Sequence, residues 1–302
     1  MDKIAFYIMN SKGYSVLKSF IEKFGTKPIG YIVSSEDSNI KKDFFEEIKD
    51  ISHKSKISFF NRFDNYIQVE QEFEGYKFAI GWRWIIEEER KLIVFHDSLL
   101  PKYRGFSPLV NCLINNEKVS GVTALFASNK YDQGNIISQK SLVINYPIKI
   151  KKAIKQIEPL YISLVNDIFL QIKDKKQLKN KIQDESKATY SLWLDYEDYY
   201  IDWHWDAFTI KRFIDATGYP YDNAKAYLNG NVIKFMDVEI FEDVLIENRD
   251  RHIGKVIFIE NNSPVIICKT GLIRLIDIRD ENNNKTSINF RSRFKSEGKC
   301  YE

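Results

Sequence analysis

The stretch VFHDSLLPKYRG, residues 94–105, joins an apolar, β-prone run to a polar loop. The strand candidate Leu92–Phe95 ends directly before His96, which is one of four histidines in the chain. Pro101 and Gly105 suit a defined turn whose backbone can approach a ligand closely. Position alone leaves two interpretations of His96 open: a reactive side chain at a strand end, or a histidine satisfied by a backbone hydrogen bond.

Upstream of this stretch, β-prone runs alternate with segments whose apolar residues recur at helical spacing. The strand candidates are residues 3–9, 29–33, 57–60, 77–81 and 92–95, and the helix candidates are 15–24 and 41–51. This alternation predicts βαβ units and a Rossmann-like α/β domain with a mostly parallel sheet. Ligands bind beyond the carboxyl ends of such strands, so we expect Asn10, residues 81–84 and residues 96–104 at the functional edge.

Downstream of the stretch, the pattern predicts three further elements. They are a helix from Pro108, a β pair formed by residues 121–126 and 136–144, and a long helix over 150–172. The loop of the β pair holds Asp132 and Gly134. The charged segment 173–187 indicates either a surface linker or the solvated end of the preceding helix.

The last third of the chain has a different pattern. An aromatic-rich segment and one helix, at 207–216, precede several short β runs, and Asn229-Gly230 is a strong hairpin signal. Short strands joined by such turns are typical of a small β-barrel-like unit. We therefore predict a first domain over residues 1–187 and a smaller, β-rich domain over residues 188–302.

The composition excludes several classes of protein. With 302 residues and a formal net charge of +3, the chain lacks the strongly basic field typical of nucleic-acid binding. No apolar stretch approaches the ~18 residues of a membrane span, and the amino terminus does not resemble a signal peptide. The three cysteines are isolated, which fits a reducing compartment: Cys112, Cys268 and Cys300. We expect a cytoplasmic protein with no membrane partner.

One group of residues could suggest a metal site. Asp202, His204 and Asp206 alternate along a segment that enters a helix, but a fourth ligand is missing. A capping or surface role is the favoured interpretation. We predict no metal.

Residues 94–105 resemble a motif of the 10-formyltetrahydrofolate-dependent formyltransferases. This family includes methionyl-tRNA formyltransferase, glycinamide ribonucleotide transformylase and the sugar N-formyltransferases, and its motif is Asn-x-His, Ser-Leu-Leu-Pro and then Arg-Gly. The matching residues are His96, Ser98, Leu99, Leu100, Pro101, Arg104 and Gly105. Pro108, Gly121–Thr123 and Asp132-Gln133-Gly134 also fit the family's spacing. Residues 201–203 and 210–221 resemble the carboxyl-terminal domain of the methionyl-tRNA and sugar enzymes, and residues 79–85 resemble a strand-to-loop segment of the sugar enzymes.

The resemblance implies a formyltransferase domain over residues 1–187 and 10-formyltetrahydrofolate as co-substrate. It implies that His96 and Asp132 are catalytic, with Asp132 fixing the orientation of His96. The residues assigned to the folate are Trp84, Ile85, Ile86, Ser98, Leu99, Leu100 and Pro101. The residues assigned to the acceptor are Asn10, Trp82, Arg83, Arg104 and Gly105, and Arg83 is expected to face nucleotide phosphates or the base. Core packing remains the alternative for Trp82 and Trp84. A homodimer is also implied.

One position departs from the family pattern. The family's asparagine, which helps to hold the formyl oxygen as it becomes an oxyanion, is Val94 in this chain. Loss of one such donor typically costs about 10²–10³ in turnover. Asn10 and Asn111 are possible substitutes that no motif supports.

The acceptor amine is open among three interpretations. Aromatic residues stack on bases and sugar faces, and the segment SLWLDYEDYYIDWHW, residues 191–205, is aromatic and contains no lysine or arginine. The favoured acceptor is therefore a nucleotide-linked amino sugar, such as a dTDP- or GDP-linked 3-amino or 4-amino dideoxysugar, for surface-polysaccharide (lipopolysaccharide O-antigen) synthesis. The alternatives are methionyl-tRNA and a catalytically impaired homologue that binds folate or a nucleotide.

Overall fold

The protein is described by a computed structural model that covers residues 3–86 and 89–296. Contacts divide the chain into two compact units. The first unit takes residues 1–112, 117–144 and 152–192, and the second takes 113–116, 145–151 and 193–302. All residues assigned to the folate lie within the described ranges.

The first unit is built on a seven-stranded sheet. The strands of the unit are β1 (Ile4–Ile8), β2 (Ile29–Ser34), β3 (Phe59–Asn61), β4 (Tyr76–Ile80), β5 (Leu92–His96), β6 (Arg104–Gly105), β7 (Val119–Phe126), β8 (Ile136–Val143) and β9 (Tyr190–Ser191). The sheet order is β3-β2-β1-β4-β5-β7-β8, whereas β6 pairs only with β9. The five adjacent strands β3, β2, β1, β4 and β5 run parallel, and β7 and β8 are antiparallel to their neighbours. The Rossmann-like prediction is confirmed.

Five helices accompany this sheet. They are α1 (Asn10–Phe24), α2 (Phe45–Lys54), α3 (Ile67–Glu72), α4 (Pro108–Ile114) and α5 (Ile150–Lys173). Helix α1 begins at Asn10 and not at residue 15, so the five residues before the expected start are also helical. Gly13 makes this possible, because a Cβ there would lie 2.8 Å from the Cβ of Ile8. The helix can therefore start directly after β1.

Aromatic rings fill both faces of the sheet. On one face Phe20 of α1 contacts Phe6 and Phe169, with ring centroids 5.2 and 4.7 Å away. On the other face Tyr7 and Tyr31 lie edge to face at 6.0 Å. Such pairs stabilise beyond the burial of area alone. They fix the strands whose carboxyl ends carry the site.

Only the start of the charged segment 173–187 is a helix end, since α5 ends at Lys173 and the next residues bond back to its last turn. After α5 the chain returns along the first unit, and Lys181 exchanges two backbone hydrogen bonds with Ile136 at 2.8 and 2.9 Å. Gln183 is buried at 5% exposure. Most side chains of the segment are exposed, which is why its sequence looks like a linker, but a few buried residues attach it to the sheet.

The second unit is a curled antiparallel sheet with one helix, α6 (Ala207–Thr217). Its strands are β10 (Ala224–Leu228), β11 (Asn231–Phe241), β12 (Val256–Glu260), β13 (Ser263–Ile267), β14 (Leu272–Arg279) and β15 (Phe294–Lys295). Asn229 and Gly230 join β10 to β11 with φ values of 51° and 83°, as the hairpin signal predicts. Trp203, Phe235 and Phe294 form its aromatic core. The β-rich prediction is confirmed.

The capping role expected in the segment 202–206 has a structural counterpart at Asp206. Asp206 caps α6, because its side chain accepts a hydrogen bond from the Thr209 backbone N–H at 3.0 Å. Within residues 3–86 and 89–296, no group of three His, Cys, Asp or Glu side chains is arranged to hold a metal ion. None of the helices in the described ranges is long and apolar enough to cross a membrane.

Candidate active site

His96 ends β5 at the carboxyl edge of the sheet and is 8% exposed. Its Nε2 lies 2.7 Å from the carbonyl oxygen of Tyr103, and its Nδ1 lies 3.5 Å from Oδ1 of Asp132. A carbonyl oxygen only accepts, so Nε2 carries a hydrogen. Nδ1 is then the atom that can take a proton, and it faces the carboxylate of Asp132. His96 thus makes the backbone hydrogen bond and also faces a carboxylate.

Asp132 is held from three directions in the β7–β8 loop. Its φ of 54° is left-handed, which aspartate tolerates better than most residues. Its Oδ2 accepts the backbone N–H of Gly105 at 2.8 Å. Its carbonyl oxygen accepts a hydrogen bond from Nε2 of Gln183 at 2.6 Å, and Gly134 O accepts another at 2.8 Å. A Cβ at Gly134 would clash with the carbonyl oxygen of Phe126, which explains the Asp-x-Gly spacing.

The Ser-Leu-Leu-Pro loop is held to β7 by hydrogen bonds. Thr123 donates to the carbonyl of Ser98 at 2.6 Å and accepts the N–H of Leu100 at 3.1 Å. Gln139 donates to the carbonyl of Leu100 at 2.9 Å. Ser98 and Leu100 are each 3% exposed, so their side chains belong to the interior of the unit, whereas Leu99 and Pro101 are half-buried. A folate contact by this loop stays a prediction that is best met by Leu99, Pro101 and the backbone.

The prediction that Arg104 binds the acceptor is wrong for its side chain. Arg104 is fully buried, and its guanidinium donates to Gln183 at 3.1 and 2.9 Å and to Glu185 at 2.8 and 2.6 Å. A contact of 3.4 Å to the hydroxyl of Tyr190 occupies the last direction. The Glu185 carboxylate raises the pKa of Arg104. Arg104 therefore binds Gln183, which in turn holds the backbone of Asp132.

Gly105 contributes its backbone rather than a ligand contact. Its N–H holds Asp132, and its φ of 95° is in the region that favours glycine. A Cβ at this position would lie 2.7 Å from the carbonyl oxygen of Ser191. The glycine of the motif is thus required by the pairing of β6 with β9 and by the position of the catalytic carboxylate.

The ends of β2, β3 and β4 carry an arginine–aromatic cluster. Arg83 pairs with Asp37, whose side chain is buried, so its charge is already balanced. The ring of Trp82 packs on Tyr7 and on Trp84, with centroids 5.4 and 5.2 Å away. Trp82 thus packs against the core, as the alternative interpretation expected, whereas the ligand contacts assigned to Trp82 and Trp84 stay predictions.

Arg62 is a candidate that the sequence did not reveal. Its guanidinium carbon lies 4.2 Å from the ring centroid of Phe63 and 4.1 Å from that of Trp84. In the described ranges no acceptor lies within hydrogen-bond distance of its guanidinium, although the side chain is only half-buried. The unpaired arginine of this edge is therefore Arg62 and not Arg83. The only signal in the sequence was its position just after the third strand candidate.

Ile85 and Ile86 point in different directions. Ile85 is 70% exposed, whereas Ile86 is 8% exposed and packs with the aromatic face of the sheet. The folate contact expected of this loop stays a prediction, and its exposed apolar side chain is Ile85.

Asp97, the residue after His96, is a buried carboxylate that no expectation covered. It accepts hydrogen bonds from Nζ of Lys12 and from the hydroxyl of Tyr161. Helices α1 and α5 thereby hold the carboxyl end of β5. This contact also neutralises the charge of Lys12 at the start of α1.

Val94 packs among apolar side chains and offers no hydrogen bond. Of its two possible substitutes, Asn111 has its amide nitrogen engaged by the carbonyl oxygens of Ser107 and Leu192 at 3.0 and 3.2 Å. Asn10 lies at the carboxyl end of β1, next to Gly81. The family's amide is therefore absent from its usual place, and Asn111 does not replace it.

The described cysteines do not qualify as nucleophiles. Burial raises the pKa of Cys112 to about 11 and that of Cys268 to about 12. Both thiols are therefore protonated near neutral pH. The imidazole of His96 and the carboxylate of Asp132 are therefore the candidate reactive groups of this edge.

Two family models match the chain. The model described as formyl transferase matches residues 75–158, and the model described as formyl transferase, C-terminal domain, matches residues 194–293. A methionyl-tRNA formyltransferase from Syntrophomonas wolfei is 28% identical over 188 residues, which is 61% of this chain and 57% of that protein. The chain thus spans a little over half the length of this relative.

Solved structures share the fold over nearly the whole chain. The sugar 3N-formyl transferase WlaRD, solved in the presence of dTDP and 5-N-formyl-THF, matches with a TM-score of 0.68 and 20% identity, covering 94% of this chain and 99% of that one. The N-formyltransferase from Helicobacter canadensis, in complex with folinic acid and dTDP-3-aminofucose, matches with a TM-score of 0.64 and 20% identity over 91% and 99%. The family prediction made from residues 94–105 is confirmed, and the chain belongs to the formyltransferase family.

Proposed function

We propose that the protein is an N-formyltransferase that moves the formyl group of 10-formyltetrahydrofolate to the amino group of a nucleotide-linked amino sugar. The observation that carries the proposal is the pair of His96 and Asp132, with Nδ1 and Oδ1 3.5 Å apart at the carboxyl edge of the sheet. An imidazole beside a fixed carboxylate is suited to accept a proton from an amine near neutral pH.

The reaction needs one proton to be removed and one to be returned. As the amine nitrogen bonds to the formyl carbon, the electron pair of the C=O bond moves to oxygen, and His96 Nδ1 takes the amine proton. Asp132 stabilises the imidazolium that results. When the bond from carbon to N10 of the folate breaks, the same proton is returned to N10. The products are the N-formyl amine and tetrahydrofolate.

The folate would bind along the loops that flank His96. The exposed Ile85 and the half-buried Leu99 and Pro101 supply an apolar surface for an aromatic ring system. The folate ligands named for both solved structures support the choice of one-carbon donor. No resident metal or further cofactor is part of the proposal.

Arg62 supports a nucleotide-linked acceptor. It presents an unpaired guanidinium, held flat between Phe63 and Trp84, at the end of β3. A planar arginine fork suits a phosphate group. Four strand spacings of about 4.8 Å separate β3 from β5 in the sheet order, or roughly 19 Å. An acceptor whose amine lies at His96 and whose diphosphate reaches toward Arg62 must be elongated, as a nucleoside diphosphate sugar is.

The dTDP ligands of the two solved structures point in the same direction. The proposal places the enzyme in the cytoplasm, as a homodimer, in the synthesis of a surface polysaccharide such as a lipopolysaccharide O-antigen. Methionyl-tRNA is the second candidate acceptor, and the Syntrophomonas wolfei relative is the observation that favours it.

The test is formyl transfer to a panel of acceptors. The protein is incubated with 10-formyltetrahydrofolate and amino sugars linked to dTDP, GDP or UDP, and, in parallel, with methionyl-tRNA. Tetrahydrofolate release and the mass gain of one formyl group are measured for each acceptor. Transfer to one amino sugar is the expected result. Transfer to methionyl-tRNA alone would establish the second candidate, and no transfer to any acceptor would leave only a folate- or nucleotide-binding homologue.

A further inference from the structure

We infer that the side-chain amide of Asn10 supplies the hydrogen bond to the formyl oxygen that Val94 cannot make. The inference rests on the proposed function and names a further catalytic residue for it. The tetrahedral intermediate carries a negative oxygen, and a positioned N–H donor at that oxygen stabilises it. The Nε2 hydrogen of His96 is engaged by the carbonyl of Tyr103, so another group must donate to the formyl oxygen.

The orientation of the Asn10 amide is fixed by its own backbone. Its Oδ1 accepts the backbone N–H of Lys12 at 3.1 Å. A backbone N–H only donates, so the atom bonded to it must be the oxygen, and the other atom of the amide is the nitrogen. In residues 3–86 and 89–296, Nδ2 of Asn10 has no hydrogen-bond partner, and the side chain is half-buried. The amide thus presents two free N–H groups.

Gly81 lets this amide approach the catalytic edge. It has a φ of 63°, and a Cβ at this position would clash with Nδ2 of Asn10. The pairs Ile8–Ile80 and Ile80–Phe95 are in register, so Gly81 lies level with His96 on the neighbouring strand. Adjacent strands are about 4.8 Å apart. The free amide therefore lies over the strand next to the catalytic histidine.

Other donors near this edge are already engaged or enclosed. Lys12 pairs with the buried Asp97. Asn111 donates to two carbonyl oxygens. Trp82 has an unpartnered Nε1, but this atom is buried away from solvent. Asn10 is the donor that combines a free N–H with access.

The backbone of Asn10 is itself unusual. Its φ of 53° lies in the left-handed region at the first position of α1. Asparagine and aspartate enter this region more readily than other side chains. Asn10→Asp therefore keeps the backbone conformation and the acceptor for Lys12, but replaces the N–H donor by a carboxylate oxygen and adds a negative charge. Asn10→Ala removes the donor without adding a charge.

The experiment compares these two variants with Val94→Asn, which restores the family's amide. Asn10→Asp and Asn10→Ala are each expected to lower kcat by about 10²–10³, with a smaller change in the KM of either substrate. Adding Val94→Asn to Asn10→Ala is expected to recover at least tenfold of the loss. Asn229→Asp is the matched control, because Asn229 is also left-handed, with a φ of 51°, and lies in an exposed hairpin. It should leave kcat unchanged.

A second readout does not depend on turnover. The formyl C=O stretch of bound, ¹³C-labelled 10-formyl-5,8-dideazafolate is measured by difference infrared spectroscopy. A hydrogen bond from Asn10 lowers this frequency in the wild-type protein, and the frequency should rise in both Asn10 variants. Binding affinity for 5-formyltetrahydrofolate, measured by calorimetry, should change little.

The outcomes separate the two proposals. Suppose that the wild-type protein transfers the formyl group, and that both Asn10 variants keep kcat within twofold and the C=O frequency within error. Asn10 is then not the donor, and the proposed function stands. If the wild-type protein transfers no formyl group to any acceptor, both proposals are wrong. Loss of kcat without rescue by Val94→Asn and without a frequency change would show that Asn10 has only a structural role.

Discussion

The two sides of the seven-stranded sheet use their strand ends differently. On the motif side, formed by β5, β7, β8 and their loops, polar groups engage one another: His96 bonds to the carbonyl of Tyr103 and faces Asp132, which accepts the N–H of Gly105. On the aromatic side, formed by β1 to β4 and their loops, Lys12 and Arg83 are paired, but two other donors are free. Arg62 and the amide nitrogen of Asn10 have no partner in the described ranges.

This difference separates groups that are held in a fixed geometry from groups that are free to bind a ligand. Groups that are bonded to one another hold a fixed geometry, as a proton transfer requires. Free groups held by stacking or by one hydrogen bond are available to a ligand. We therefore expect the motif side to carry the proton transfer, and the free donors of the aromatic side to contact the ligands, Asn10 the formyl oxygen and Arg62 the acceptor. Substitutions on the two sides should accordingly have different kinetic signatures.

The largest effect is expected on the motif side, at His96. His96→Asn keeps the size of the side chain but cannot take the amine proton, so kcat should fall by about 10²–10⁴. Tetrahydrofolate release at saturating substrates measures the loss. His53→Asn, at an exposed position on α2, is the control and should have wild-type kcat. Full activity of His96→Asn would remove the motif side from the chemistry.

A smaller effect on kcat is expected at Arg104, whose partner Gln183 holds the backbone of Asp132. Arg104→Met leaves the buried Oε1 of Gln183 without a partner, which costs about 1–3 kcal/mol of unfolding free energy. Since Gln183 holds the backbone of Asp132, kcat should fall while the acceptor KM changes little. Thermal unfolding should show a Tm lowered by several degrees.

The control for this variant is Arg279→Met. Arg279 pairs with Asp277 on the surface of the second unit, and such changes usually stay within about 0.5 kcal/mol. If Arg104→Met raised the acceptor KM and left Tm and kcat unchanged, Arg104 would be a binding residue after all, and the burial of its guanidinium would be transient.

The motif side was also the part that the sequence predicted best. His96 follows an apolar run and Asp132 lies in a loop between two others, so both positions could be predicted from local pattern and from the resemblance. The role of Arg104 could not, because its partners Gln183 and Glu185 lie 79 and 81 residues away in a segment whose charges resemble a linker. The local sequence around an arginine does not show whether a distant amide will bury it.

The aromatic side was predicted less well for a related reason. Arg83 and Arg62 both follow strand candidates, and only the fold shows that Asp37 engages Arg83 while Trp84 stacks on Arg62. The fold itself was easier to predict, because apolar residues that recur every 3.6 or 2.0 positions are visible within a short stretch of sequence. The start of α1 was missed, since Asn10 and Gly13 are typical turn residues and the contact between Gly13 and Ile8 is not visible in the local pattern.

The smallest effect on kcat is expected at Arg62, where the affinity for the nucleotide decides what the aromatic side binds. Arg62→Met removes a charge-assisted hydrogen bond of about 1.5–3 kcal/mol, which corresponds to roughly a 10- to 100-fold weaker Kd for the nucleoside diphosphate alone. Calorimetry with dTDP, GDP and UDP measures it, and kcat at saturating acceptor should be unchanged. Arg62→Lys keeps the charge without the planar fork and should recover only part of the affinity.

Two arginines control for charge and for stacking. Arg291 lies over Phe290 at 5.8 Å in the second unit, so Arg291→Met removes a similarly stacked guanidinium and should leave nucleotide affinity unchanged. Arg83→Met leaves the buried carboxylate of Asp37 without its partner. It should therefore lower Tm more than it changes the Kd for the nucleotide. If Arg83→Met weakened the nucleotide and Arg62→Met did not, the assignment made from sequence would be right. The free guanidinium of Arg62 would then be a surface feature, and the aromatic side would not bind the acceptor through its free donor.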